Sequence, residues 1–151
     1  MVKNIQQQQA KFMKECGQFV APRPIGIVNI KRNSEIELYK NLIDEEDLEL
    51  RLAIEQLNDC ITGDAYPRET YAAMAEVCAE AVDNVYVIMG LMNTLGLPFH
   101  AMWDAIHEAN LNKRINGVVT KDKNGKIIKP KDWQPVDKLA IINKAIQWGN
   151  K

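Results

Sequence analysis

Cysteine is scarce in this chain. Cys16, Cys60 and Cys78 are odd in number, widely spaced, and form no CxxC pair. That excludes a disulfide framework and the usual zinc-ligand spacings, and it points to a cytoplasmic protein with buried thiols. Long hydrophobic runs are also missing. None approaches the ~20 residues of a membrane-spanning helix, so no membrane partner is expected. The opening residues, MVKNIQQQQAKFMKE, are polar and carry no signal-peptide hydrophobic core. Positive charge is absent over a long central stretch. From Glu69 to Asn112 there is no Lys or Arg, while Glu69, Glu76, Glu80, Asp83, Asp104 and Glu108 all fall there.

What remains is ordinary in bulk and uneven in arrangement. A chain of 151 residues suggests one domain. It can bury roughly 68–70% of its unfolded surface and needs no metal to fold. Net charge is −1, yet residues 1–112 carry 9 Lys/Arg against 17 Asp/Glu, and residues 113–151 carry 10 against 3. An acidic body with a basic tail suits a cation held by the first and a polyanion gripped by the second. Nucleic acid is not the expected polyanion, because the tail has no aromatics besides Trp133 and Trp148.

The pattern predicts an all-α fold whose central helices pack as a bundle, with a small basic hairpin or flap near the C-terminus. Residues 5–18 read as a first helix, with the Gln6–Gln9 run as a solvated end. Residues 19–35, containing Pro22, Pro24 and Gly26, read as a loop with a short extended piece. Residues 36–59 and 69–95 read as long helices, the second closed by Gly96 as a left-handed cap. Residues 98–114 and 136–149 read as two more. Between these last two, TKDKNGKIIKP holds Asn124-Gly125, the signal of a two-residue hairpin turn. No internal repeat is present.

The helix NLIDEEDLELRLAIEQ contains an anomaly. At 100° per residue Ile43, Leu50, Ala53, Ile54 and Leu57 share one face. Glu46 falls inside that stripe, Glu49 at its edge and Glu45 just beyond. The third helix repeats the pattern. Met74, Ala75, Cys78, Ala81, Val82, Val85, Met89 and Met92 make a broad apolar face. Glu76, Glu80 and Asp83 line another stripe with no basic residue one turn away. Like charges at i, i+3 and i, i+4 repel by roughly 0.2–0.5 kcal/mol per pair even when exposed, and desolvation costs more. Two helices aiming carboxylates at each other call for a cation. An all-oxygen donor set selects Mg²⁺ or Mn²⁺. The alternative is a solvated acidic face on a non-catalytic helical interaction module, which tolerates the charge pattern without explaining it.

Glu45-Glu46-x-x-Glu49 followed by Glu80-x-x-Asp83 resembles the EExxE and ExxD signature of the all-α nucleoside triphosphate pyrophosphohydrolases, the MazG-like enzymes and their phosphoribosyl-ATP pyrophosphohydrolase relatives. The segments NLIDEEDLEL, EAVDNVYVIMGLMNTLGLP, IHEANLNKR and GKIIKPKDWQPVD resemble family segments in the family's order, over roughly residues 36 to 137. The resemblance implies metal-dependent hydrolysis of a nucleoside triphosphate, such as dUTP or dCTP, to monophosphate and pyrophosphate. It implies Glu46, Glu49, Glu80 and Asp83 as metal ligands and Glu45 as the group that handles the attacking water. Asn84, Asn110 and Lys113 become substrate contacts. Lys129 and Lys131 close over the triphosphate, and Trp133, in the same basic segment near that site, reads as a further substrate contact. A homodimer, or a dimer of dimers, is implied as well. Two departures stand out: the long interval between Glu49 and Glu80, and Ala79 where many members carry a second acid.

Other residues resolve to structure. His100 and His107 read as packing or surface residues. Asp104 and His107 have a D-x-x-H spacing, but a di-iron bundle needs two such pairs. Trp103 and Trp148 read as core. DKNG resembles a fragment of a calcium loop, with its glycine in the wrong place and no following glutamate.

Overall fold

Asn4 starts the first helix by accepting the Gln7 amide on its side chain at 3.0 Å, which satisfies one of the open donors of a helix start. The structure is a computed structural model that describes residues 4–24 and 33–148. Five helices follow one another among these residues: α1 (Ile5–Glu15), α2 (Asn33–Thr62), α3 (Pro67–Leu95), α4 (Phe99–Leu111) and α5 (Lys138–Trp148). The all-α expectation holds, and α2 runs three residues further at each end than its pattern suggested. Of the stretch 19–35, expected to be a loop with a short extended piece, residues 25–32 lie outside the described residues and 33–35 belong to α2.

The chain divides into two compact units, Met1–Gly96 and Leu97–Lys151. In the first, α2 and α3 pack along each other as a helical hairpin, and α1 packs on α3. The turn between α2 and α3 is only four residues long, and Pro67 sits at the first position of α3, where its missing N–H costs nothing. Glu69 returns its carboxylate to the Tyr66 amide at 3.0 Å. At the far end Gly96 takes φ 66° and ψ 30°, the left-handed cap anticipated from sequence.

A simple register governs the hairpin. Tyr39 of α2 meets Gly90 of α3, and any side chain at position 90 would run into the tyrosine ring. Tyr39 and Gly90 are equidistant in sequence from the midpoint between Asp64 and Ala65, inside the turn. Glu46 and Asp83 are equidistant from the same point, and so are Glu49 and Glu80. The hairpin therefore lays the two acid motifs level with each other.

The core is formed by Met13, Ala21, Tyr39, Ala53, Ala73 and Met89. A buried polar cluster ties α1 to the end of α3. Asn93 donates from Nδ2 to Gln9 Oε1 at 2.7 Å and to the Gln6 carbonyl at 3.0 Å. The Ala21 amide donates to the Asn93 carbonyl at 2.9 Å. The reading of Gln6–Gln9 as a solvated end is thus corrected: Gln9 is buried, because its amide is the partner Asn93 needs.

The broad apolar face expected on α3 is only half covered. Met89 is buried, but Met74, Val82 and Val85 are exposed. α1 is short and reaches α3 near its C-terminal half, where Phe12 meets the Tyr86 ring edge-on at 5.8 Å. The face that α3 turns to α2 is instead Ala73, Val77, Glu80, Asn84 and Val87, each buried or half-buried at helical spacing. Buried thiols were also expected, yet Cys16 and Cys78 are exposed and Cys60 is half-buried, all three free. Trp103 is exposed rather than core, and the Trp148 side chain lies outside the described residues.

The second unit holds α4, a bridged loop and α5, and α4 touches α5. The expected hairpin is present as an isolated bridge of Lys121 with Ile127, and a separate tight turn pairs Ile115 with Val118 just before it. The hairpin's turn differs from the two-residue form. The Gly125 amide bonds the Asp122 carbonyl at 3.0 Å and the Asp122 amide bonds the Lys126 carbonyl at 2.8 Å. Only Gly125 of the central residues has positive φ. This is a three-residue loop with a glycine bulge. Asp122 imposes it, because Oδ1 accepts from the Asn124 and Lys126 amides at 2.9 and 3.0 Å.

Candidate active site

Glu46, Glu80 and Asp83 converge. Each offers a carboxylate oxygen, and these oxygens lie within 4.8 Å of one another. Glu46 comes from the stripe of α2 that packs against α3, and Glu80 and Asp83 from successive turns of α3. Glu46 and Glu80 are half-buried, and Asp83 is exposed. The expectation that the acids of α3 face a packed interior holds for Glu80 and fails for Glu76 and Asp83, which lie on the open side. The helix twist separates them: positions in phase with Ala73 and Val77 are covered by α2, and Asp83 reaches Glu46 from the open edge.

The electrostatics mark this as a strained cluster. Partial loss of hydration raises the Glu46 carboxyl above its usual range, and the charges of Glu49, Asp83 and Glu45 push it further. Glu80 is raised by the same loss of hydration, then by Glu49, Glu76, Asp83 and Glu46. Ion pairs among the described residues include Lys11–Glu15, Lys40–Glu37 and Arg51–Asp47. None reaches the cluster. Glu49 stands outside the converging trio, yet it bears on both half-buried glutamates. Glu45 is exposed beside Glu46, and Asn84 is half-buried one residue beyond Asp83.

Three oxygen donors with no cation among them fit a hard divalent metal, which removes the mutual repulsion and supplies charge of opposite sign. Among the described residues no other group of acids, histidines or cysteines can hold a metal this way. His100, Asp104 and His107 are exposed on α4 and form no such group.

The remaining expected site residues lie in the second unit. Lys113 donates from Nζ to Asn110 Oδ1 at 2.6 Å, at the end of α4. The Lys113 and Lys129 ammonium groups lie over the Trp133 ring, 5.9 and 4.1 Å from its centre. Trp133 is half-buried and donates from Nε1 to the Ala109 carbonyl at 2.8 Å. Lys131 is exposed. Beside Trp133 a cleft of about 510 Å³ is lined by Asn112, Arg114, Asn116 and Gln134 among others. Sequence reasoning passed over Arg114, although it stands next to Lys113 in the first basic pair after the long stretch without cations.

No curated protein matches the chain. The family model for phosphoribosyl-ATP pyrophosphohydrolase matches residues 10–110. That range begins earlier and ends earlier than the resemblance read from the residues. It takes in the C-terminal part of α1, both acid motifs and Asn110, and leaves Lys113, Lys129, Lys131 and Trp133 beyond its end. With two thirds of its length matched, including every acid of the cluster, the chain belongs to the phosphoribosyl-ATP pyrophosphohydrolase family.

Proposed function

We propose that this pyrophosphohydrolase-family protein is a metal-dependent nucleoside triphosphate pyrophosphohydrolase that releases pyrophosphate from a ribo- or deoxynucleoside triphosphate. The observation that carries the reading is the convergence of Glu46, Glu80 and Asp83, whose charged neighbours among the described residues are other acids. Together with Glu49 they would hold Mg²⁺ or Mn²⁺. When bound, such a metal offsets the charge of the phosphates and acidifies water.

The chain's own residues supply the rest. Glu45 stands exposed beside the ligand set and takes the proton of the attacking water. Such general-base help is worth typically 10²–10⁴-fold in rate. Water adds at the α-phosphorus, the bond to the α–β bridging oxygen breaks, and monophosphate and pyrophosphate are the products. Asn84, at the edge of the cluster, is assigned to the nucleoside. Asn110, Lys113, Lys129 and Lys131 are assigned to phosphate and sugar by their donor chemistry.

The exposed apolar residues Leu48, Leu52, Met74, Val82 and Val85 support a homodimer, since uncovered apolar surface of this kind marks an interface. No single helix among the described residues is long and apolar enough to cross a membrane. The three free thiols fit a reducing cytoplasm. The deciding experiment is pyrophosphate release from a panel of ribo- and deoxynucleoside triphosphates with Mg²⁺, Mn²⁺ or chelator. Metal-dependent pyrophosphate with monophosphate supports the reading. Release of single phosphates, or no turnover with no metal bound, overturns it.

A further inference from the structure

Lys113 and Lys129 are sixteen positions apart in sequence, yet both ammonium groups are held over one indole. Two cations gathered this closely repel each other. The negative face of the ring offsets part of that repulsion, and a bound anion would offset the rest. The indole itself is fixed at its edge. Nε1 donates to the Ala109 carbonyl, one of the last four carbonyls of α4, which lack partners within the helix. The Trp133 amide is fixed as well, donating to the Pro130 carbonyl at 3.2 Å. Lys113 has a second restraint in Asn110 Oδ1. Thus the turn that follows α4 and the segment after the hairpin each place one cation over the same ring.

Arg114 adds a third cation in the adjoining cleft, with Nε donating to the Leu111 carbonyl at 3.2 Å. Asp132 is the one acid among the residues lining that cleft.

We propose that Trp133 is a positioning residue: it assembles Lys113 and Lys129 into a preformed site for a linear phosphate chain, built within the second unit and needing no metal. This rests on the assignment of those two lysines to phosphate. It changes the role of Trp133 from a substrate contact to the spacer between two phosphate contacts. The family match ends before Lys113, so the grouping of the two lysines on Trp133 is read from this chain's own geometry.

The test is calorimetric titration of the metal-free protein with inorganic tripolyphosphate, for wild type, Trp133→Phe, Trp133→Leu and the double variant Lys113→Ala/Lys129→Ala. Wild type is expected to bind and the double variant to lose binding. Trp133→Leu should weaken binding about tenfold and Trp133→Phe, which keeps a ring, only about threefold. On whichever nucleotide is hydrolysed, Trp133→Leu should raise KM about as much and leave kcat nearly unchanged, and Trp133→Phe should restore most of the loss. A purely structural tryptophan would change both constants or neither. If Trp133→Leu loses helicity, the Trp133→Phe result decides. Failure of wild type to bind tripolyphosphate overturns the proposal, and so does equal binding by wild type and both Trp133 variants. Ring-dependent tripolyphosphate binding with no nucleotide hydrolysed would sustain the anion site while removing the assigned reaction. Nucleotide hydrolysis with ring-independent binding would do the reverse.

Discussion

Glu46 is a carboxylate placed where an apolar side chain would pack, and its neighbours Glu49, Asp83 and Glu45 all make it harder to ionise. Replacing it isosterically should therefore separate function from stability. Glu46→Gln or Asp83→Asn is expected to lower kcat by at least about 10²-fold while leaving helicity intact. The metal-free melting temperature should rise by about 1–6 °C, from two or three like-charge contacts relieved at ~0.2–0.5 kcal/mol each. Circular dichroism melts in chelator, beside the pyrophosphate assay, check both. Acidity gives a second prediction. A carboxyl whose pKa is raised on folding binds its proton more tightly in the folded chain. The contribution of Glu46 and Glu80 is thus unfavourable above their raised pKa values, and it fades as pH falls through them toward 4.5, the ordinary value. The stability advantage of Glu46→Gln in metal-free protein should be full near neutrality and shrink toward pH 4.5. An advantage that stays flat across that range would show that Glu46 is not raised. The acids themselves were legible because charge at helical spacing is a local property. That Glu80 turns inward while Asp83 stays open was not, because it depends on the phase of α3 against α2.

At the scale of elements, the long helices α2 and α3 were readable from uninterrupted helix formers and from the punctuation at Gly63, Pro67 and Gly96. Their faces were harder to read. The apolar residues of α3 wrap most of its circumference, so period alone does not say which stripe meets α2. One signal was available: the acid motifs are equidistant from the turn, which fixes the hairpin register. Gly90 is the sharpest case. It lies in a helix where alanine is ordinarily better, yet any Cβ there meets the buried Tyr39 ring. Gly90→Ala is expected to destabilise by about 1–3 kcal/mol through overpacking, read as a lower midpoint in urea. Asn93→Ala should cost about 1–3 kcal/mol by stranding the buried Gln9 amide and should loosen α1 before it affects α3. Amide hydrogen exchange along α1 would show this. The polar link between α1 and α3 was invisible in sequence, since Gln9 and Asn93 are 84 positions apart.

The whole molecule leaves apolar surface uncovered. Val82 is 59% exposed and Leu52 is 55% exposed, on two long helices for which α1 is the one further helix among the described residues of their unit. If these surfaces meet a second copy, Val82→Asp should shift the protein from dimer to monomer in sedimentation velocity. An unchanged sedimentation coefficient would point to another interface. Composition showed that enough apolar surface existed for a core. It did not show that part of it lies outside any core a single copy builds, because burial is a property of the assembled chain.

The symmetric register of the α2–α3 hairpin also constrains how this sequence can drift in length. The interval from Glu49 to Glu80 behaves as a ruler folded at its midpoint: residues added to one arm alone slide and rotate one motif away from the other. Lengthening escapes that penalty only when both arms grow together by whole helical turns, about seven residues each for two turns. A paired insertion of that kind should keep pyrophosphate release, and a single-residue insertion in one arm should abolish it. The separation between the motifs in this chain is one that the geometry permits, with the two acid rows arriving side by side.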